Sequence, residues 1–577
     1  DFDKNRVREM IKSRFSGLER EPDAPFRELY PVPSHEETLY APASDPEARY
    51  TTVSIYNKRD AEPLNTLGDY REMLVHSLFT SMLNTRFSEL TSNPDVPIRR
   101  AGAGRTDLVR TEGVNYLTAV VEDREVETGL STLVTEARRV KQYGFTDSEF
   151  ERAKANVRTA YKQSYAERNK TGSESFVREY IRHYLSGEAS PGIAREYEIV
   201  QEYLPGITLE EVNEVADEYL KSENRVVLVN AVEKEDDPIP GEEALAAALE
   251  EAEKAVVEPY KDTTPDQPLV QQMPQPGEIV EERERDEVEV TEWTLSNGVE
   301  VALKPTDFKN DEILFTAYGP GGSSLAAEEN HMSASMAASI VQESGVADFS
   351  KTDLGKVLSG KTVSVSPYIS ELRAGLSGSS SKADLETMFK LIRLYMTQPR
   401  KSEDAFKAWR QRMTTMVQNR REQPVQFFVD KIREILSQDH PRRQPLTVER
   451  LQEVDLDEAM RFYTERFADA SDFRFVFVGN IDEQKLRELS RRYLASLPAD
   501  PDEEQFRDVG VQRPEGVVKE SVRSGIAPKS YVGIVYHGSY DWSPERNYEI
   551  RSVAQYLQMR LREVIREEQS GTYALGV

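Results

Sequence analysis

The chain repeats itself at domain-scale intervals, which confines it to an architecture of duplicated modules rather than a solenoid. Asp1-Phe-Asp-Lys-Asn-Arg-Val-Arg-Glu9 lines up with Asn480-Ile-Asp-Glu-Gln-Lys-Leu-Arg-Glu488, 479 positions later. An apolar run, Arg474-Phe-Val-Phe-Val478, leads the later copy and has no counterpart before the first, and the chain does not open on Met. The expectation is a window of a longer polypeptide.

The first register continues. Thr51-Thr-Val-Ser-Ile-Tyr56 alternates as a strand, and Tyr531-Val-Gly-Ile-Val-Tyr536 takes its place in the later copy. Helices starting at Tyr70 and Tyr548 follow, then Arg86-Phe-Ser-Glu-Leu90 and Arg560-Leu-Arg-Glu-Val564. A second register starts with the capping box Thr208-Leu-Glu-Glu211 and runs to the strand Arg225-Val-Val-Leu-Val229. It recurs 247 positions later from Asp455-Leu-Asp-Glu458 to Arg474–Val478.

These registers predict the end of a first module at 1–22, a complete second at 23–232, a third at 291–500 and the start of a fourth at 501–577. Between the halves, 233–290 is rich in Pro, Gln and acid and reads as an extended linker, with one short helix over Ala244–Ala255. Asn297-Gly298 marks a hairpin opening the third module. Strands and helices mix without a βαβ rhythm, so the predicted class is α+β: tandem modules, each a mostly antiparallel sheet covered by helices.

Composition narrows the partners. The 577 residues allow about three to five domains. With 74 basic against 102 acidic residues, net −28, most faces would repel a phosphate backbone, which argues against nucleic acid. No apolar run approaches the roughly 20 residues of a membrane span. The absence of Cys leaves no disulfide framework and no thiolate metal site.

Few motifs survive inspection. Gly355-Lys-Val-Leu-Ser-Gly-Lys-Thr362 satisfies the P-loop expression, but a helix precedes it and a strand follows, the reverse of the order that aims backbone N–H groups at phosphate. Gly319-Pro-Gly-Gly-Ser-Ser324 reads as a turn. Among the six histidines (His35, His76, His183, His331, His440, His537) no two share a helical turn, so neither inverted nor direct zinc motifs occur. No Gly-x-Ser-x-Gly elbow appears. The remaining specific segment is Leu561-Arg-Glu-Val-Ile-Arg566-Glu-Glu-Gln-Ser-Gly-Thr-Tyr573, a charged helix ending near Gly571, a residue suited to a C-terminal cap.

With Arg566-x-x-Gln569-x-x-x-Tyr573 in the fourth of four modules, the chain resembles the insulinase/pitrilysin family of inverted-motif zinc peptidases. Leu295-Ser-Asn-Gly298, the linker and the degenerate helix Asn330-His-Met-Ser-Ala-Ser-Met-Ala-Ala add to the likeness. The resemblance implies four modules of the metallopeptidase LuxS/processing-peptidase-like fold enclosing a chamber for unfolded peptides. It also implies zinc held by His-x-x-Glu-His in the first module, outside this chain. Carried over, Tyr573 would donate its O–H to the oxyanion of the tetrahedral intermediate and Arg566 would hold a substrate carbonyl; Ser92, near the equivalent place in the second module, offers no cation. The implied function is part of a zinc metalloendopeptidase, periplasmic or secreted, with the 577-residue chain alone inactive. The alternatives are a non-catalytic Arg/Tyr partner subunit of a two-subunit peptidase, or a peptide-binding or structural homologue.

Overall fold

The computed structural model describes residues 2–577 apart from 20–27, 47, 49, 63, 123, 234–238, 422, 501–503 and 526–527. Asp1, which opens the repeat, and 234–238 of the predicted linker therefore lie outside the described residues.

Two mixed sheets organise the chain. The first comprises β1 (Leu39–Asp45), β2 (Thr51–Asp60), β3 (Ile98–Val109), β4 (Glu112–Val121) and β5 (Arg225–Val232), in the order β1-β5-β2-β4-β3. The second comprises β6 (Ile279–Arg285), β7 (Val290–Leu295), β8 (Glu300–Pro305), β9 (Ile313–Pro320), β10 (Val363–Ile369), β11 (Arg373–Ser380) and β12 (Arg474–Gly479). Its order is β10-β11-β9-β12-β8-β7-β6. Every pairing is antiparallel except β1 with β5 and β8 with β12.

Those two exceptions reveal the duplication. In each sheet the module's last strand is inserted between its first two, parallel to one and antiparallel to the other. The order β1-β5-β2-β4-β3 maps onto β8-β12-β9-β11-β10 strand for strand, and β7 and β6 extend the second sheet's edge.

Alternation along single strands builds the cores. Val53 and Ile55 on β2 face inward, with Val227 and Val229 of β5 beside them. On β12, Phe475 and Phe477 are buried, and the Phe477 ring stacks on Phe389 at 5.3 Å. Each such ring contributes about 1.5–3 kcal/mol by leaving water. The helix Leu67–Thr91, started by a Thr66/Asp69 capping box, lays Leu74, Leu78, Phe79, Met82 and Leu83 over β3, and Val126–Tyr143 covers β4 and β2. In the second unit His331–Ser344 lies on β10 and Leu385–Thr397 on β10 and β11.

Two expectations need revision. Two described parts of 233–290 are packed rather than spacer-like, and the expected short helix is one of them. Its helix, Glu242–Lys254, buries Leu245, Leu249 and Ala252 against Val126–Tyr143, because that spacing puts three apolar side chains on one face. Further on, β6 joins the second sheet.

Next, Tyr531–Tyr536 forms no strand; Val532 is 88% and Tyr536 92% exposed. Alternation alone does not make a strand without neighbours to accept its backbone hydrogen bonds, and no described strand follows β12. The segment instead rests on the helix Pro424–Ser437, with Tyr531 and Phe428 ring centroids 6.0 Å apart.

The two repeat copies also differ in burial. Asp3 and Asp482 cap the helices Lys4–Phe15 and Glu483–Leu489 in the same way, yet Leu486 and Leu489 are buried while the earlier helix buries nothing.

Candidate functional site

The Arg/Tyr segment begins on the helix Pro544–Leu561, whose N-cap Ser543 accepts a bond from the Arg546 amide at 3.2 Å. After Leu561 the coil widens to a π turn over Arg562–Glu568. The turn closes where the Gly571 amide donates to the Ile565 carbonyl at 2.8 Å. The left-handed residue at this end is Ser570, φ 50°, rather than Gly571. From there the chain doubles back along the helix, the Val577 amide donating to Gln558 Oε1 at 2.7 Å.

This fold-back brings the two predicted residues together: the Arg566 guanidinium carbon is 5.4 Å from the Tyr573 ring centroid, within cation–π range. Both face solvent, Tyr573 at 88% exposure. Among the described residues Arg566 makes no ion pair, and its side chain is exposed.

A polar cleft of about 710 Å³ lies between the two units, lined among others by Ser88, Glu89, Arg99, Arg152, Lys356 and Arg412. Lys356 holds its floor. Its Nζ donates to Tyr260 Oη and to Asp262 Oδ1, each at 3.1 Å, and lies 2.9 Å from Glu89 Oε1. Asp262 also takes Arg152 at 2.8 Å and the Ser148 hydroxyl. Burial works against the lysine's charge, but Glu89 and Tyr260 more than offset it, so its pKa is raised. Burial likewise opposes the Asp262 charge, but bonds from Ser148, Arg152, Lys356 and Thr264 hold its carboxyl well below the usual range.

The cluster ties the linker residues Tyr260 and Asp262, the second module's Glu89 and Arg152, and the third module's Lys356 into one joint. Sequence reasoning missed it, because these residues come from distant segments and share no motif. Replacing Lys356 by Met is expected to cost about 1–3 kcal/mol, because Glu89 Oε1 loses its charged partner while Asp262 keeps Arg152 and Ser148. It should also make the two units unfold at separate urea midpoints, whereas an unchanged single transition would contradict the clamp.

Comparison with known proteins then places the fold. Residues 453–577 match the sequence model described as "Peptidase M16 inactive domain". Curated relatives include a zinc protease PQQL-like protein of Arabidopsis thaliana, 27% identical over 533 residues, covering 91% of this chain and 50% of the relative. Another is a probable zinc protease PqqL of Haemophilus influenzae, 22% identical, covering 89% and 55%.

Among solved structures, a mutant of the ferredoxin protease FusC in complex with Arabidopsis ferredoxin aligns at TM-score 0.54 and 18% identity, covering 88% of this chain and 56% of that one. Pitrilysin aligns at 0.50 and 13%, covering 87% and 52%. Residues 453–577 thus carry a domain of the M16 peptidases, and the chain as a whole is similar to zinc proteases of that kind. It spans about half the length of the curated relatives it matches.

The other sequence candidates are engaged in structure. The P-loop match is a turn from the helix Lys351–Val357 into β10. Its Gly360 amide donates to Asn156 Oδ1 at 2.7 Å and its Thr362 amide to Asp384 Oδ2 at 2.9 Å, so neither faces an open phosphate site. At Gly319–Ser324 the amides of Ser323 and Ser324 bond the carbonyls of Ser370 and Glu371, and Gly322 (φ 54°) has no room for a Cβ beside the Ser370 carbonyl.

The zinc of the family finds no fit here: no group of three or more His, Asp or Glu among the described residues is placed to hold a metal. His331, on the helix that resembles a decayed zinc helix, is pushed down to about 4 by burial and then by the charges of Arg442 and Arg450, a cationic setting that disfavours a metal cation. His35, His183 and His440 share hydrogen bonds with the carbonyls of Glu37, Glu188 and Val509.

His76 is likewise lowered to about 4, first by burial and then by Arg105. A histidine depressed in the folded state contributes fully above the unfolded value near 6.5 and loses that contribution as pH falls toward 4. Stability should therefore drop over that window by up to about 1.4 kcal/mol per pH unit from His76. His76→Gln should flatten the dependence, as read from urea midpoints at pH 7 and pH 5.

Proposed function

We propose that this chain is the part of a zinc-dependent metalloendopeptidase that supplies the substrate-holding Arg566 and the oxyanion-stabilising Tyr573. The parent enzyme hydrolyses unfolded peptides inside a chamber formed by two halves, in a periplasmic or extracellular compartment. The modules divide at 1–22, 23–232, 291–500 and 501–577. The reading is carried by Arg566-x-x-Gln569-x-x-x-Tyr573 within the stretch matched to the family.

The chemistry asked of each side chain is simple. A guanidinium offers a planar fork of donors and keeps its charge, so Arg566 grips a substrate backbone carbonyl and fixes the scissile bond's register. The Tyr573 hydroxyl donates to the carbonyl oxygen as it becomes an oxyanion, so that it binds the transition state more strongly than the substrate. Zinc would supply an activated water, held by residues outside this chain.

A second reading makes the chain a non-catalytic Arg/Tyr partner of a separate zinc subunit. The description of the matched family domain as inactive suits both. One experiment separates them. The full-length polypeptide should carry His-x-x-Glu-His about one module before Asp1 and cleave a quenched unfolded peptide until a chelator is added. The 577-residue chain alone should not cleave it. Absence of that motif favours the partner subunit, and chelator-resistant cleavage by the chain alone would refute both.

A further inference from the structure

Two helices of equal length carry the same face in opposite surroundings. Ser173–Ser186 and Pro424–Ser437 each span 14 residues, and Ile181-Arg-His-Tyr-Leu-Ser186 aligns with Ile432-Arg-Glu-Ile-Leu-Ser437. Each ends on a left-handed residue, Gly187 (φ 74°) and Gln438 (φ 50°), whose amide donates to the aligned carbonyls of His183 and Glu434. In this register Val177, Ile181, Tyr184 and Leu185 match Phe428, Ile432, Ile435 and Leu436.

On Pro424–Ser437 that face carries an extended run of the same chain. A Cβ at Gly533 would sit 3.2 Å from both Ile432 Cδ1 and Phe428 Cζ, and Tyr531 rests on Phe428. Tyr531 and Val535 are roughly half covered, while the alternate residues Val532, Ile534 and Tyr536 stand further out. Gln438 Nε2 donates to the Arg513 carbonyl at 2.6 Å, and Arg513 Nη1 to the Leu436 carbonyl at 3.1 Å. On Ser173–Ser186 the matching face is bare. Phe176, Val177, Tyr180, Ile181, Tyr184 and Leu185 are all exposed, Tyr184 at 86%. The flanking Arg178 and Arg182 are paired with Glu174 and Glu188, each at 2.9 Å, so the apolar stripe rather than a free charge sets what can bind.

We propose that the stripe Val177–Leu185 is a docking site for an extended peptide with apolar residues at alternate positions, the chemistry its duplicate holds in Tyr531–Val535. The spacings agree: alternate residues of a strand stand about 6.6 Å apart, and residues four apart on a helix about 6 Å. Successive inward side chains of the peptide therefore meet Val177, Ile181 and Leu185 in turn. A contiguous exposed apolar face of this kind marks an interaction site. Calling the peptide a substrate rests on the peptidase reading above; the docking does not.

The probe is a fluorescein-labelled peptide of residues Lys529–Gly538, titrated with the 577-residue chain and followed by fluorescence anisotropy. Binding should saturate at about one peptide per chain. Ile181→Ser and Tyr184→Ser lie on an exposed face and should leave folding intact. Each should weaken binding about tenfold or more, as loss of a large apolar contact does. Ile432→Ser should change it less than about twofold, and a probe carrying Tyr531→Ser and Val535→Ser should not bind. No binding of the original probe, undiminished binding to Ile181→Ser, or a loss confined to Ile432→Ser would overturn the proposal. So would dimers of the chain that Ile181→Ser converts to monomers, which would give the face to a second copy. Failure of the full-length polypeptide to cleave peptides would remove the peptidase reading and leave the docking site standing.

Discussion

Tyr573→Phe in the full-length polypeptide is expected to lower kcat by about 10²-fold or more while KM changes little. Removing one preorganised donor to an oxyanion costs about this much in acyl-transfer enzymes, since the bond is worth most when the charge has developed. The substitution deletes one oxygen and keeps the ring, so the contact with Arg566, 5.4 Å from the ring centroid, is retained. On the proposed reading, Arg566→Lys should show the complementary pattern, a raised KM, because a point charge would replace the fork assigned to the ground-state carbonyl. Steady-state kinetics on one unfolded peptide distinguishes the two roles. An unchanged kcat in Tyr573→Phe would remove the phenol from the reaction.

Arg86→Met should destabilise the second module by about 3–5 kcal/mol, the cost of leaving a buried ion pair with one partner. Arg86, Glu136 and Glu149 are each nearly fully buried. Burial works against the guanidinium charge, but the Glu149 hydrogen bonds and the nearby carboxylates outweigh it, so its pKa is raised. Glu136 is raised, by burial above all. Glu149 also serves its own helix, since its Oε2 accepts from the Thr146 amide at 2.8 Å and completes the capping box of Asp147–Ala166.

The measurement can be made module-specific, because the three Trp residues are Trp293, Trp409 and Trp542, none of them in the second module. Arg86→Met should therefore split the urea transition, with part of the circular dichroism change moving to lower urea ahead of the tryptophan fluorescence change. A circular dichroism curve identical to wild type would show the buried charges to be dispensable. Arg86→Met combined with Glu149→Met should recover part of the loss, since no lone charge remains between that pair.

Much of the fold was legible because its signals are local. The alternation of Thr51–Tyr56 and Arg474–Val478 marked two buried strands, and Asn297-Gly298 marked the β7–β8 hairpin, where Gly298 has φ 86°. Thr208 and Asp455 announced helix starts by offering side-chain oxygens to free amides, as both do. Tyr531–Tyr536 failed by the same logic, for its pattern is local but its stability requires neighbouring strands.

The Arg566/Tyr573 pair was legible as spacing. Its fold-back was not, because Ser570 rather than Gly571 turns the chain. Lys356 stood inside a misleading P-loop match, and nothing nearby in sequence pointed to its partners.

The sequence by itself determined the duplicated modules and their buried faces, because repetition and alternation are properties of contiguous residues. Only the tertiary structure decided which charges meet in the interior: Arg86 with Glu149, 63 residues on, and Lys356 with Asp262, 94 residues back. Such pairings depend on which surfaces the sheets and helices press together, and a buried charge is tolerated only where that packing delivers its partner.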